Sequence, residues 1–183
     1  MIKEVEMRKS LVNRAPGLFN RLTGIVLLVS LALLPAFPVA AAEKVEAGSN
    51  VKKVVWHVDF GDPIRLGSML TSVNNMLTTY EEAFADHDIR IVFLGAGIRF
   101  VTGDPLAKTP FAEDKVLKQE RKVLTERLQS AMGQGIKLEL CKITVNAVNL
   151  DEGKVIKGVS MVPSGVVRIA ELQDKGFAYL KAD

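Results

Sequence analysis

The stretch Val54-Val55-Trp56-His57-Val58-Asp59-Phe60 puts Val54, Trp56, Val58 and Phe60 on one parity and Val55, His57 and Asp59 on the other. That two-residue alternation is the signature of a β-strand. Gly61-Asp62-Pro63 ends it, and the period then changes. From Leu66 to Ala85 the apolar residues Leu66, Met69, Leu70, Val73, Leu77, Tyr80 and Phe84 recur at helical spacing. The same switch repeats along the chain. Ile89 to Leu94 reads as a strand closed by Gly95-Ala96-Gly97, with no helix opening there. Glu113 to Met132 reads as an amphipathic helix with the stripe Val116, Leu117, Leu124, Leu128 and Met132, stopped by Gly133 and Gly135. Ile136 to Cys141 is a third strand, Thr144 to Leu150 a short helix or a loop, and Val155 to Val162 holds a fourth strand broken by Gly158. Ser164 caps a helix through about Lys175, and Phe177 to Leu180 is a last strand. Strands alternating with helices predict an α/β fold with a parallel sheet covered on both faces.

The first 42 of the 183 residues are of another kind. Lys3, Arg8, Lys9, Arg14 and Arg21 precede an apolar run from Ile25 to Leu34, Pro35 and Pro38 break it, and Ala40-Ala41-Ala42 follows. A basic region, a short apolar region and small residues before a cut describe a secretory signal peptide over 1–42, cleaved after Ala42 give or take one residue. The alternative is an uncleaved inner-membrane anchor facing the periplasm, although the run falls short of the roughly 20 apolar residues of a spanning helix. Residues 43–52 read as a flexible lead-in and 53–183 as the folded domain. Of 24 basic and 21 acidic residues, five and two fall in the first 42, leaving 19 of each. The basicity therefore belongs to the targeting segment, and no nucleic-acid partner is expected.

One cysteine excludes an internal disulfide framework and a multi-cysteine metal site, and two histidines are too few for a histidine cage, so no metal and no cofactor are expected. Sites in open parallel sheets form at the carboxyl ends of strands. Cys141 stands at such an end, on the parity of Lys137 and Glu139. A lone cysteine is often a buried small hydrophobe, whereas an unpaired thiol in an oxidising compartment is either hidden or used. Asp59 and His57 share a face near the end of the first strand. Asp59 is a candidate support for a thiol on a neighbouring strand, while His57 reads as a packed histidine. Gly95 and Gly97 are candidate binding residues, but Phe100 stands where a dinucleotide fingerprint needs a small residue.

Val54-Val55-Trp56-His57-Val58, Ile91-Val92-Phe93-Leu94-Gly95-Ala96-Gly97-Ile98, Leu138-Glu139-Leu140-Cys141, and Val162-Pro163-Ser164-Gly165-Val166 through Gly176-Phe177-Ala178-Tyr179-Leu180 occur in one order. Together they resemble the DsrE/DsrF-like (YchN-like) family, in particular its exported single-domain members. The resemblance implies a three-layer α/β/α fold with a mostly parallel five-stranded sheet of flavodoxin- or Rossmann-like topology, assembled as homotrimers or hexamers. It also implies that Cys141 accepts sulfane sulfur as a persulfide and passes it to a partner thiol, making the chain a periplasmic sulfur-trafficking protein. Lys142 and the amides after Cys141 would stabilise the thiolate that such exchange requires. Two alternatives stay open: an oligomeric ligand- or partner-binding module with a buried Cys141, and a thiol redox sensor.

Overall fold

The computed structural model describes residues 51–182. The expected signal segment and the lead-in through residue 50 lie outside the described residues. Five strands, β1 (Lys52–Val58), β2 (His87–Phe93), β3 (Lys137–Cys141), β4 (Ser160–Val162) and β5 (Ala178–Lys181), pair in the order β4-β3-β2-β1-β5. Every pairing is parallel. The helices are α1 (Pro63–Glu82), α2 (Lys115–Gly133), α3 (Lys142–Ala147) and α4 (Gly165–Asp174), with 3₁₀ turns at Gly95–Phe100 and Glu152–Lys154.

Alternation along each strand sorts the side chains into two cores. Val54, Trp56 and Val58 of β1, Ile89, Ile91 and Phe93 of β2, and Leu138 and Leu140 of β3 pack against Leu66, Met69, Leu70, Val73 and Leu77 of α1 and Leu117, Leu124, Leu128 and Ala131 of α2. The opposite face is thinner: Val55 and Val92 meet Ile169 and Leu172 of α4, with Phe177 and the half-buried Leu94. The result is the expected three-layer α/β/α fold. No helix among the described residues is long and apolar enough to cross a membrane.

Several boundaries differ from the sequence reading, each for a local reason. The first strand starts and ends two residues early, so Asp59 and Phe60 lie beyond it. The helix α1 starts at Pro63, because the Asp62 carboxylate accepts from the Ile64 and Arg65 N–H groups and proline suits a first helical position. It ends at Glu82, and Phe84, placed by its spacing on the apolar stripe, adopts φ 50° and is 97% exposed. On α2, Ala131 joins the buried stripe, while Val116 is exposed. The expected fourth strand shrinks to Ser160–Val162. Gly158 turns at φ 98°, and Val155 makes an isolated antiparallel bridge to Thr102. The chain after β2 does enter helical geometry, as the 3₁₀ turn Gly95–Phe100.

That turn passes directly over the end of β1. A Cβ on Gly97 would lie 2.3 Å from the Val58 carbonyl oxygen, which no rotamer change relieves. Gly97→Ala should therefore cost at least about 2 kcal/mol of stability in urea unfolding. A loss below about 0.5 kcal/mol would show that the turn can lift off the strand.

Candidate functional site

The end of β3 runs without a loop into α3, and Cys141 is the residue between them, in extended conformation at φ −66° and ψ 117°. Its side chain falls on the α4 face of the sheet, where α4 begins almost in contact with it. A Cβ on Gly165 would lie 3.1 Å from the Cys141 Cβ and 3.2 Å from a methyl of Leu94. Glycine lets the first turn of α4 come this near without pushing the Cys141 and Leu94 side chains aside. Across the strand pair Cys141 is in register with Val162, whose own strand leads through Pro163 to the Ser164 cap. Ser164 Oγ accepts from the Val167 N–H at 3.4 Å.

Cys141 is 5% exposed, at the point where the starts of α3 and α4 meet. Burial pushes the thiol up. Against it act the main-chain N–H groups of Gly165, Thr144 and Ile143 and the Thr144 hydroxyl, whose dipoles are gathered about the sulfur and together hold the thiol below the ordinary cysteine range. Thr144, itself buried, is oriented for this task. Its Oγ1 accepts from the Gly95 N–H at 3.0 Å, which leaves the hydroxyl hydrogen for the sulfur.

Below Cys141 on the same face lies a buried carboxylate. Glu139 Oε2 accepts from Arg168 Nε at 2.6 Å, and Oε1 accepts from Arg168 Nη2 at 2.8 Å and from Arg90 Nη1 at 2.9 Å. Arg90 also bonds both carboxylate oxygens of Asp88, at 3.1 and 2.8 Å. Burial raises the Glu139 carboxyl, but Arg168 and then Arg90 bring it below the usual carboxylate range. A groove of about 280 Å³, lined by Val162, Pro163, Ser164, Val167, Arg168 and Glu171, opens at the junction of β4 and α4.

The other candidate residues are placed as follows. Gly95, at φ 53°, spends its N–H on Thr144, and Gly97 donates to the Leu94 carbonyl at 3.0 Å, so this turn offers no phosphate cradle. Gly95 belongs to the cysteine site through Thr144. Lys142 is half-exposed and paired with Glu152 at 2.9 Å. Asp59 binds Lys181 at 2.8 Å and stands 3.8 Å from His57 Nε2. Burial raises the Asp59 carboxyl, and Lys181 and His57 more than reverse this. His57 packs as expected, with Nδ1 2.8 Å from the Tyr179 hydroxyl, and burial lowers its pKa. Asp59 and Cys141 share a sheet face but β2 runs between their strands, a separation of roughly 10 Å that no hydrogen bond spans. No group of acidic, cysteine and histidine side chains among the described residues could hold a metal ion.

Thr144, Gly165, Glu139 and Arg168 were not singled out from the sequence. The signal for Gly165 was present in Pro163-Ser164-Gly165, where a glycine directly follows a helix cap and spoils the first turn unless something must approach it.

The fold has relatives among solved structures. The protein of unknown function MTH1491 from Methanobacterium thermoautotrophicum superposes with a TM-score of 0.55 at 23% identity, over 71% of this chain and 98% of that one. The ychN protein from E. coli gives a TM-score of 0.42 at 15% identity, over 71% and 98%. Comparison with curated protein sequences gives no match. The model of the DsrE/DsrF-like family matches residues 53–182, the whole of the sheet and its helices. The chain therefore belongs to the DsrE/DsrF-like family, which is associated with sulfur relay.

Proposed function

We propose that this protein is a periplasmic sulfur-trafficking protein that carries sulfane sulfur as a persulfide on Cys141 and hands it to a partner thiol. The observation that carries this reading is the meeting of two helix starts at one buried cysteine, Cys141 itself at the head of α3 and Gly165 packed against it, where nearby N–H groups and the Thr144 hydroxyl favour the thiolate although burial alone would favour the thiol. The thiolate attacks the outer sulfur of a donor R–S–S⁻. A new S–S bond forms on Cys141 as the donor's S–S bond breaks, and R–S⁻ leaves. An acceptor thiolate then attacks the outer sulfur of Cys141–S–S⁻ and expels the Cys141 thiolate, so neither transfer needs an external oxidant or reductant. The groove at the β4–α4 junction, lined by Val162, the strand neighbour of Cys141, is the approach this reading assigns to the partner molecules. Export rests on the pattern of residues 1–42, and assembly as a homotrimer or hexamer rests on the family.

A second reading has one observation on its side: at 5% exposure Cys141 is packed like a core residue. In that reading the fold is a binding module and the thiol is inert.

Intact-mass measurement after incubation with polysulfide separates the two. Sulfur carriage predicts a gain of one sulfur atom that dithiothreitol removes and that C141S lacks. A protein that gains nothing, and whose thiol is alkylated only after denaturation, is the binding module. Removing one donor should also show in the titration of the thiol. Thr144→Val raises the thiol pKa, so the thiolate fraction at a fixed pH below the midpoint falls by roughly threefold to tenfold, while Thr144→Ser stays near wild type. A T144V thiolate absorbance curve identical to wild type would remove the hydroxyl from the account.

A further inference from the structure

The helix α4 meets the sheet through few apolar contacts. Ile169 and Leu172 reach Val55, Val92 and Phe177, and the two residues after Gly165, Val166 and Val167, are exposed. So small a core leaves the register of the helix along its own axis poorly defined, because apolar contact is non-directional. Lys53 of β1 donates to the Lys175 carbonyl at the far end of the helix, at 3.1 Å, and two attachments hold its first turns. Gly165 sits against Cys141, and Arg168 sits on Glu139. Cys141 and Glu139 are two residues apart on β3, and Gly165 and Arg168 are three apart on α4. The strand therefore advances about 6.6 Å while the helix rises about 4.5 Å, close enough for a long arginine to close the difference.

The Arg168 contact is the directional one of the pair. Its Nε and Nη2 take separate oxygens of Glu139 in a fork that fixes both distance and orientation. Arg90 holds the same carboxylate from β2, so the anchor is tied to two strands at once. Displacing α4 along its axis by a fraction of a turn would leave the fork unmade, with a buried carboxylate short of partners.

We propose that Glu139 and Arg168 are positioning residues for Cys141: their forked ion pair fixes the first turn of α4 over β3 and so keeps the Gly165 main chain packed against Cys141. This deepens the sulfur-carrier reading and rests on it for its meaning, but its test does not require sulfur transfer. The titratable and charged groups on the elements packed about the site are His87, Asp88 and Arg90 on β2, Glu139 and Lys137 on β3, Arg168, Glu171 and Asp174 on α4, Lys142 with its partner Glu152, and Arg99 on the 3₁₀ turn. Arg168→Lys leaves the net charge of this set unchanged.

The test is thiolate absorbance against pH for wild type, R168M and R168K, each corrected by the same protein carrying C141S, with folding checked by near-ultraviolet circular dichroism. Cys141 is the sole cysteine, so the difference reports it alone. The expected result is an upward displacement of the R168M midpoint by about 0.5 to 1 pH unit, which is about threefold to tenfold less thiolate at a fixed lower pH. R168K, which keeps the charge and one bond, should recover at least half of that displacement. If R168M does not fold, R168K alone must show a smaller upward displacement. An R168M curve lying on the wild-type curve overturns the proposal, as does an R168K curve displaced as far as that of R168M, or unmoved when it stands alone. Loss of the polysulfide adduct in wild type, with these displacements present, would sink the carrier reading and leave the positioning role standing.

Discussion

The contact on which the site depends is the approach of the α4 terminus to the end of β3, so close that a side chain on residue 165 would press on Cys141 and Leu94. On one side of that contact is a sulfur that water barely reaches. On the other is a peptide N–H that has no partner within its own helix, since the first N–H groups of a helix never do. The two needs answer each other. A buried anion requires donors, and helix-terminal donors require an acceptor. The glycine makes the distance possible, and the ion pair of Glu139 with Arg168 makes it reproducible.

Burial and polar neighbours oppose each other at Glu139 and at Cys141. Glu139 and Cys141 are both deep enough for desolvation to favour their neutral forms, and both have their pKa lowered. They reach that result by different means. The carboxylate is matched by full charges on two arginines, whereas the sulfur is matched by three peptide dipoles and a hydroxyl. A full positive charge beside the sulfur would hold a thiolate more firmly and also make it a poorer nucleophile, because nucleophilicity falls with basicity. Neutral donors lower the thiol without that extreme. Lys142, adjacent in sequence and turned to Glu152, shows that a nearby ammonium is used elsewhere.

Most of the fold was legible because periodicity is a direct consequence of which face is buried. Val54, Trp56 and Val58 announce one side of a strand, and Leu66, Met69, Leu70, Val73 and Leu77 announce one side of a helix, whatever they pack against. The weak points were places where a second face also mattered. Glu139 reads from the sequence only as a charged member of the parity of Lys137 and Cys141; that parity lies under α4, and the charge is buried with its partners. Arg168 lies 29 positions away, and nothing local pairs the two. Val155 to Val162 has strand composition, but Gly158 takes the chain out of extended geometry before β4 begins. At the site, Cys141 was identified by its place at a strand end. Thr144 and Gly165 were not, because their roles depend on how α3 and α4 converge, a tertiary fact that no spacing encodes. Asp59 has the right face and the right height but the wrong strand.

The chain contains a single thiol, and its immediate surroundings are peptide N–H groups, a hydroxyl and apolar carbon. On the carrier proposal, a sulfur atom loaded there would meet no second cysteine in the same chain to collapse onto as a disulfide. Its discharge would then await an encounter with another molecule, so the concentration of the recipient would set the lifetime of the loaded form. A carrier built this way would be a reservoir with a bimolecular outlet.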